Sequence, residues 1–124
     1  MKYKNIDGAI HNFGQSFMSL MNFVNADYVF EDVYRLVRVP PHELTINFST
    51  GEVSPAGKHP ARLLLSVQDY KEKLPNHLER HQINPGAVEN VRLVHRLTPK
   101  GHETAMAATD DRGKEHSIQV KLPW

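Results

Sequence analysis

The sequence predicts a single α+β domain, in which helices pack on one face of an antiparallel sheet. Two patterns and the chain length support this class. The first third of the chain repeats apolar residues at three- and four-residue steps, which is the spacing of one helix face. The last third alternates apolar and polar residues and contains two turn sequences, as an antiparallel meander does. The 124 residues suffice for one hydrophobic core, so one domain over 1–124 is predicted.

The composition argues against several classes of partner and chemistry. Fifteen Lys and Arg against fourteen Asp and Glu give a net charge of +1, which is not the basic excess that usually attracts nucleic acid or an anionic membrane. Cysteine is absent, so disulfides and thiolate metal sites are excluded. The N-terminal third is too polar for a signal peptide or a membrane span. We expect a cytoplasmic protein without nucleic-acid or membrane partners and without a cofactor or metal.

A first helix is predicted at about residues 8–24, with Asp7 as its N-cap, in a stretch without Asp, Glu, Lys or Arg. Its apolar face consists of Ile10, Phe13, Phe17, Leu20, Met21 and Val24. The opposite face is polar but uncharged, whereas a surface helix usually carries Lys and Glu there. Such a face is covered either by another part of the fold or by a second subunit. We predict a homodimer whose interface contains Asn12, Gln15, Ser19 and Asn22.

A second helix is predicted from Tyr28 to Arg38, with Asp27 as its N-cap and Pro40-Pro41 as its stop. The short connection between the two helices predicts that they pack antiparallel. A helical pair followed by a curved antiparallel sheet resembles cone-shaped ligand-binding folds. This resemblance implies an architecture and no particular function.

The middle of the chain predicts a strand, a loop and a third helix. Glu43 to Ser49 alternates with a period of two and is typical of a half-buried strand. Ser49 to Pro60 is rich in Ser, Gly and Pro, which predicts a loop that could hold a short return strand. Arg62 to Ser66 is too short an apolar run to classify. Ser66 begins a helix-start box, and Pro75 either kinks the helix that follows or opens a second one.

The last third predicts three strands, 88–98, 103–109 and 114–122, separated by turns at 99–101 and 110–113. We expect Thr98 to face His102 across the first turn and Thr109 to face Lys114 across the second. This register leaves the central strand only alanines on its buried face. The predicted buried face contains Val91, Leu93, Leu97, Ala105, Ala107, Ile118 and Val120.

The same register directs two histidines toward the buried face, on either side of the alanines. It predicts a ligand pocket lined by His95, His116, Glu103, Ala105 and Ala107, with Glu103 at the rim. Imidazoles titrate near neutral pH and serve as acid, base or metal ligand. The alternative is that His95 is a hydrogen-bonded core residue and His116 occupies a strand end. The leading hypothesis is a non-catalytic interaction or small-ligand-binding domain, and the alternative is a small enzyme that uses His95 as general acid or base.

Two further clusters carry weaker functional hypotheses. His77 and His81 lie four residues apart, a spacing that can hold zinc on a continuous helix, but the sequence offers no third ligand. Arg92, Arg96 and Lys121 share the outer face of the predicted sheet. Sheet faces that bind nucleic acid usually add aromatic side chains for base stacking, and this face has none. Whether the protein is an enzyme therefore stays open.

Overall fold

The protein is described by a computed structural model that covers residues 2–23, 43–54, 56–57 and 59–120. Within these ranges the chain forms two α-helices and five strands, which confirms the α+β class. The second predicted helix, 28–38, lies outside the described residues. The elements are α1 (Lys2–Phe23), β1 (Glu43–Asn47), β2 (Val53–Ser54), α2 (Ala61–Arg80), a 3-10 turn (Pro85–Ala87), β3 (Val88–Thr98), β4 (Gly101–Asp110) and β5 (Glu115–Gln119).

The five strands form one antiparallel sheet in the order β2-β1-β3-β4-β5. One face of this sheet, the inner face, packs with both helices around a single core. Its buried side chains come from alternate positions of each strand, as a half-buried sheet requires. In the described ranges, neither helix has the length and apolar character needed to cross a bilayer.

Helix α1 begins earlier than predicted, because its apolar stripe extends back to Ile6, which is buried. Asp7 therefore lies inside the helix and does not cap it. At Gly14, α1 approaches the sheet closely, since a Cβ added there would lie 2.6 Å from Sδ of Met106 on β4. The helix backbone and β4 approach each other this closely only because residue 14 has no side chain.

Helix α2 begins at Ala61 and continues through Pro75 to Arg80, so the predicted start at Ser66 is wrong. The apolar run that was too short to classify forms the first turns of this helix. Its buried stripe consists of Leu63, Val67, Tyr70, Leu74 and Leu78. Pro75 lies on the exposed side of the helix. There, water can hydrate the carbonyl group that proline leaves without its usual N–H partner.

The strand predicted at residues 43–49 is present as β1 but ends at Asn47. Leu44 and Ile46, and Phe48 directly after the strand, all have an exposed fraction of 0%. The return strand considered for the following loop is present as β2, in which Val53 pairs with Ile46. Phe48 joins an aromatic cluster in the core: its ring centroid lies 5.1 Å from those of both Phe13 and Phe17 on α1. These edge-to-face contacts hold α1 against the sheet.

The predicted register of the meander is wrong by one residue at each turn. Thr98 pairs with Gly101 instead of His102, and Thr109 pairs with Glu115 instead of Lys114. The two errors have opposite directions, so β3 and β5 keep their predicted faces while β4 is inverted. The core-facing residues of β4 are therefore Thr104, Met106, Ala108 and Asp110, instead of Ala105 and Ala107.

The second turn shows the physical cause of its shift. The N–H of Asp110 donates to the carbonyl of Lys114 at 2.9 Å, so only three residues, 111–113, form the loop. Gly113 has φ +79°, the left-handed conformation that closes three-residue hairpin loops. Oδ1 of Asp110 accepts hydrogen bonds from the backbone N–H groups of Arg112 and Lys114. Asp110 thus belongs to β4 and organises the turn from its side chain.

Candidate functional site

The residues of the predicted pocket lie on opposite faces of the sheet. His95 and His116 are buried on the inner face, as predicted. Glu103, Ala105 and Ala107 lie on the outer face, because they alternate with the inward-facing residues of β4. The five side chains are therefore not brought together. The structure instead offers one polar cluster under the sheet and one concavity on its other side.

His95 forms a side-chain hydrogen bond in the core. It pairs directly with Thr104 across β3 and β4, and Nδ1 of His95 lies 2.6 Å from Oγ1 of Thr104. The exposed fractions of the two residues are 0% and 2%. A hydrogen bond between buried polar side chains offsets the cost of removing them from water. This arrangement agrees with the alternative in which His95 is a hydrogen-bonded core residue.

His116 lies between two carboxylates, in an arrangement that we term the Asp7–His116–Asp110 cluster. Nε2 of His116 lies 2.8 Å from Oδ2 of Asp110, and Nδ1 lies 3.1 Å from Oδ1 of Asp7. The cluster joins α1, the end of β4 and the edge of β5. It was missed from the sequence because Asp7 and Asp110 were both assigned to local roles, a cap and a turn.

The carboxyl group of Asp110 is held in its ionised form. Burial alone raises the pKa of Asp110. The hydrogen bond from His116 and those from the backbone N–H groups of Lys114 and Arg112 lower it by more, so the pKa lies below its ordinary value. This carboxylate therefore accepts three hydrogen bonds, one from His116 and two from the turn, and it fixes the orientation of the imidazole.

The outer face of the sheet contains an open cavity of about 420 Å³, which we term the outer concavity. Its floor is formed by Val94, Ala105 and Ala107, whose small side chains leave the space empty. Ser117 and Gln119 of β5 line one side and provide hydrogen-bonding groups. Three of the five residues predicted for the pocket, Glu103, Ala105 and Ala107, line this concavity.

Ion pairs stand at the two ends of the outer concavity. At one end, Arg92 on β3 pairs with Glu115 on β5, and Oγ1 of Thr109 donates to Glu115 at 3.0 Å. At the other end, Nη2 of Arg96 lies 2.8 Å from Oε2 of Glu43 on β1. Both arginines are thus neutralised within the outer face. This finding agrees with a solvated face and not with a phosphate-binding one.

The uncharged polar face of α1 lies at the surface of the described structure. Asn12 and Ser19 are exposed, and Gln15 is partly exposed. Oγ of Ser16 forms a hydrogen bond of 2.8 Å with the hydroxyl group of Tyr70 on α2. For Asn22 the side chain lies outside the described structure. Three of the four predicted interface residues therefore share an accessible helix face.

His77 and His81 lie on one continuous helix, and His77 has a structural partner. Nε2 of His77 donates to the carbonyl oxygen of Ala9 on α1 at 2.8 Å, while the rings of His77 and His81 lie 4.7 Å apart. Burial lowers the pKa of His77, and this outweighs the raising effect of its bond to Ala9. Across the part of the chain that the structure describes, no group of three or more His, Asp or Glu side chains is placed to hold a metal ion.

Comparison with known proteins adds no relative to this description. No protein family model, no curated protein and no solved structure matches the chain. A function must therefore follow from the contacts, burial and charges of the described residues.

Proposed function

We propose that this protein is a non-catalytic domain that binds a small molecule in the outer concavity. The proposal rests on one observation: the buried histidines and the open cavity lie on opposite faces of the sheet. The imidazoles of His95 and His116 are buried and hydrogen-bonded on the inner face. The open cavity lies on the other face, where small side chains leave room for a ligand.

The size and lining of the outer concavity favour a particular chemistry. A volume of about 420 Å³ falls within the range of small-molecule sites. The floor of Val94, Ala105 and Ala107 suits an apolar body, and Ser117 and Gln119 suit a hydrogen-bonding group. Both arginines are already paired, while Glu103 adds an exposed carboxylate. The ligand is therefore a neutral or cationic small molecule with an apolar body, and not an anion.

A screen with matched fragments tests this proposal. The probes are aromatic amines, aromatic alcohols and aromatic carboxylates of similar size, and binding is followed by ligand-observed NMR. Amines or alcohols should bind better than carboxylates. Ala105→Leu fills the floor and should weaken binding by about tenfold or more, which equals about 1.4 kcal/mol. Ala61→Leu, at an exposed position of α2, is the control and should bind normally. Equal binding to both variants, or binding by none of the probes, contradicts the proposal.

The uncharged polar face of α1 supports a second proposal, a homodimer through this helix. Its exposed Asn12 and Ser19 carry no charge that would oppose association, and uncharged interface centres are common. The outer face of the sheet suits self-association less well. Two copies of a concave surface would leave a void between them, and voids forfeit packing contacts.

The native mass of the protein tests the homodimer. Size-exclusion chromatography with light scattering should give a dimer for the wild type. Ser19→Glu places a charge at the interface and should shift the mass toward a monomer, because an unpaired charge is costly to bury. Asn76→Glu on the exposed side of α2 should leave the mass unchanged. A wild-type monomer at every concentration tested rules out this interface.

The enzyme hypothesis has less support than binding. A general acid or base must come within hydrogen-bonding reach of the substrate. His95 has an exposed fraction of 0%, and its Nδ1 is occupied by Thr104. The observed contacts therefore favour a structural role for His95.

A further inference from the structure

We infer that Asp7, His116 and Asp110 form a proton-dependent latch that fastens α1 to the edge of the sheet. The inference is independent of the ligand proposed for the outer concavity, because it concerns the inner face and needs no ligand. It rests on the position of one imidazole between two carboxylates that belong to different elements.

The geometry gives each ring nitrogen of His116 its own carboxylate. Nε2 faces Asp110 at 2.8 Å and Nδ1 faces Asp7 at 3.1 Å. The exposed fractions of the side chains are 4% for His116, 1% for Asp110 and 48% for Asp7. One carboxylate is therefore buried beside the ring, and the other lies at the boundary with water.

The number of N–H protons on the ring decides how many of these contacts are hydrogen bonds. An ionised carboxylate only accepts, and a neutral imidazole carries a single N–H. Only the protonated ring can donate to Asp7 and Asp110 at the same time. Loss of one proton therefore removes one of the two bonds and leaves the other.

The bond to Asp7 is the one that opens. The carboxylate of Asp110 is almost fully buried and accepts three hydrogen bonds. Losing the donor on His116 would leave its Oδ2 unpaired in a buried position, which is unfavourable. Asp7 is half exposed, and water can replace the imidazole as its partner. The neutral ring thus keeps its proton on Nε2, facing Asp110, and releases α1.

The charged residues near the ring on the described elements have different roles. Arg112 and Lys114, in the β4–β5 turn, donate their backbone N–H groups to Oδ1 of Asp110 and hold that carboxylate in place. Glu115 precedes His116 but pairs with Arg92 on the outer face. On α1, His11 follows Asp7 by one turn and Lys4 precedes it by three residues. Asp7 and His116 provide a polar contact between α1 and β5.

Opening the latch loosens the beginning of α1 without detaching the helix. Ile10, Phe13 and Phe17 are buried in the core and hold the middle of the helix against the sheet. The latch is closed when the ring carries both N–H protons and the carboxylates are ionised, and it is open when the ring is neutral.

A matched pair of variants tests the latch through stability. The unfolding equilibrium constant is measured by urea titration at about pH 6 and about pH 8.5, on either side of a typical imidazole titration. Asp7→Ala should raise this constant about fivefold at the lower pH and have little effect at the higher. Asp69→Ala is the control, because Asp69 is a half-exposed helix residue paired with Lys73 at 2.8 Å, and lysine stays protonated at both pH values. Its effect should not change with pH. An equal effect of Asp7→Ala at both pH values overturns the latch.

The imidazole of the wild-type protein provides a second readout that does not depend on a variant. Nitrogen chemical shifts of His116 should show both nitrogens protonated at the lower pH and only Nε2 protonated at the higher. Amide hydrogen exchange in the first turns of α1, corrected for the intrinsic effect of pH, should accelerate with the same midpoint. A ring that keeps one protonation state over the whole range, or a neutral ring protonated on Nδ1, overturns the inference.

Discussion

His77 shows how one half-buried side chain makes the contact between the two helices sensitive to pH. Its Nε2 donates to the carbonyl oxygen of Ala9, and its ring packs 5.1 Å from that of Phe13. Burial lowers the pKa of His77 from its ordinary value of 6.5. A second proton on this ring would have to be accommodated beside α1, where it has little access to water.

The contribution of His77 to the stability of the protein should therefore fall in mild acid. A group with a lowered folded pKa stabilises the fold above its unfolded value of 6.5, and this contribution is lost as the pH falls. The reason is that the unfolded chain binds more protons. His77→Gln keeps a donor for Ala9 but does not titrate. Between about pH 7 and pH 5, the free energy of unfolding should fall less in this variant than in the wild type. Asn76→Gln, at the adjacent exposed position, controls for the substitution. An identical pH slope in all three proteins contradicts the role of His77.

At the scale of elements, the distance between α1 and β4 is set by a missing side chain. Gly14 faces Met106, and Val120 is also within 3.2 Å of the Cβ position. Glycine is unfavourable in a helix interior, so its presence here reflects packing and not local preference. Gly8 in the same helix has no atom within 4 Å of its Cβ position and serves as a matched control.

Alanine at these two positions should have opposite effects. Gly8→Ala should raise the free energy of unfolding by up to about 1 kcal/mol, because alanine favours the helix. Gly14→Ala gains the same preference but forces the new methyl group against Met106, and overpacking costs about 1–3 kcal/mol. Chemical denaturation measures both changes. If the contact with Met106 is the cause, the loss caused by Gly14→Ala should be smaller in a Met106→Ala background than in the wild type. Equal stabilisation by both substitutions would mean that the helix can move away from the sheet.

The same elements show what local sequence patterns determine. Periodicity identified α1, β1 and the three strands of the meander, because burial of one face leaves a repeat in each element. Periodicity did not determine the register of the meander. A shift of one residue preserves the alternation and changes only which alternate residues of the strand are buried. The signal for β4 was Met106, a large apolar residue that belongs in the core. The start of α2 was predicted at Ser66 instead of Ala61. The residues of a helix-start box can also lie inside a helix, as they do here.

At the scale of the whole molecule, the sheet separates two kinds of polar chemistry. The inner face holds the Asp7–His116–Asp110 cluster and the pair formed by His95 and Thr104. The outer face holds the outer concavity and its ion pairs. The sequence identified most of these residues. Asp7 and His116, however, lie 109 positions apart in the chain. No local pattern brings such residues together, so the candidate site could be predicted only in part.

The Asp7–His116–Asp110 cluster also affects how the protein meets other copies of itself. In the described sheet, β5 is an edge strand, and edge strands can recruit further strands and start aggregation. Inward-pointing polar or charged groups on a short edge strand discourage this. His116 is such a group, on a strand of five residues. The side chain that fastens α1 to the sheet thereby also helps to keep the sheet from growing.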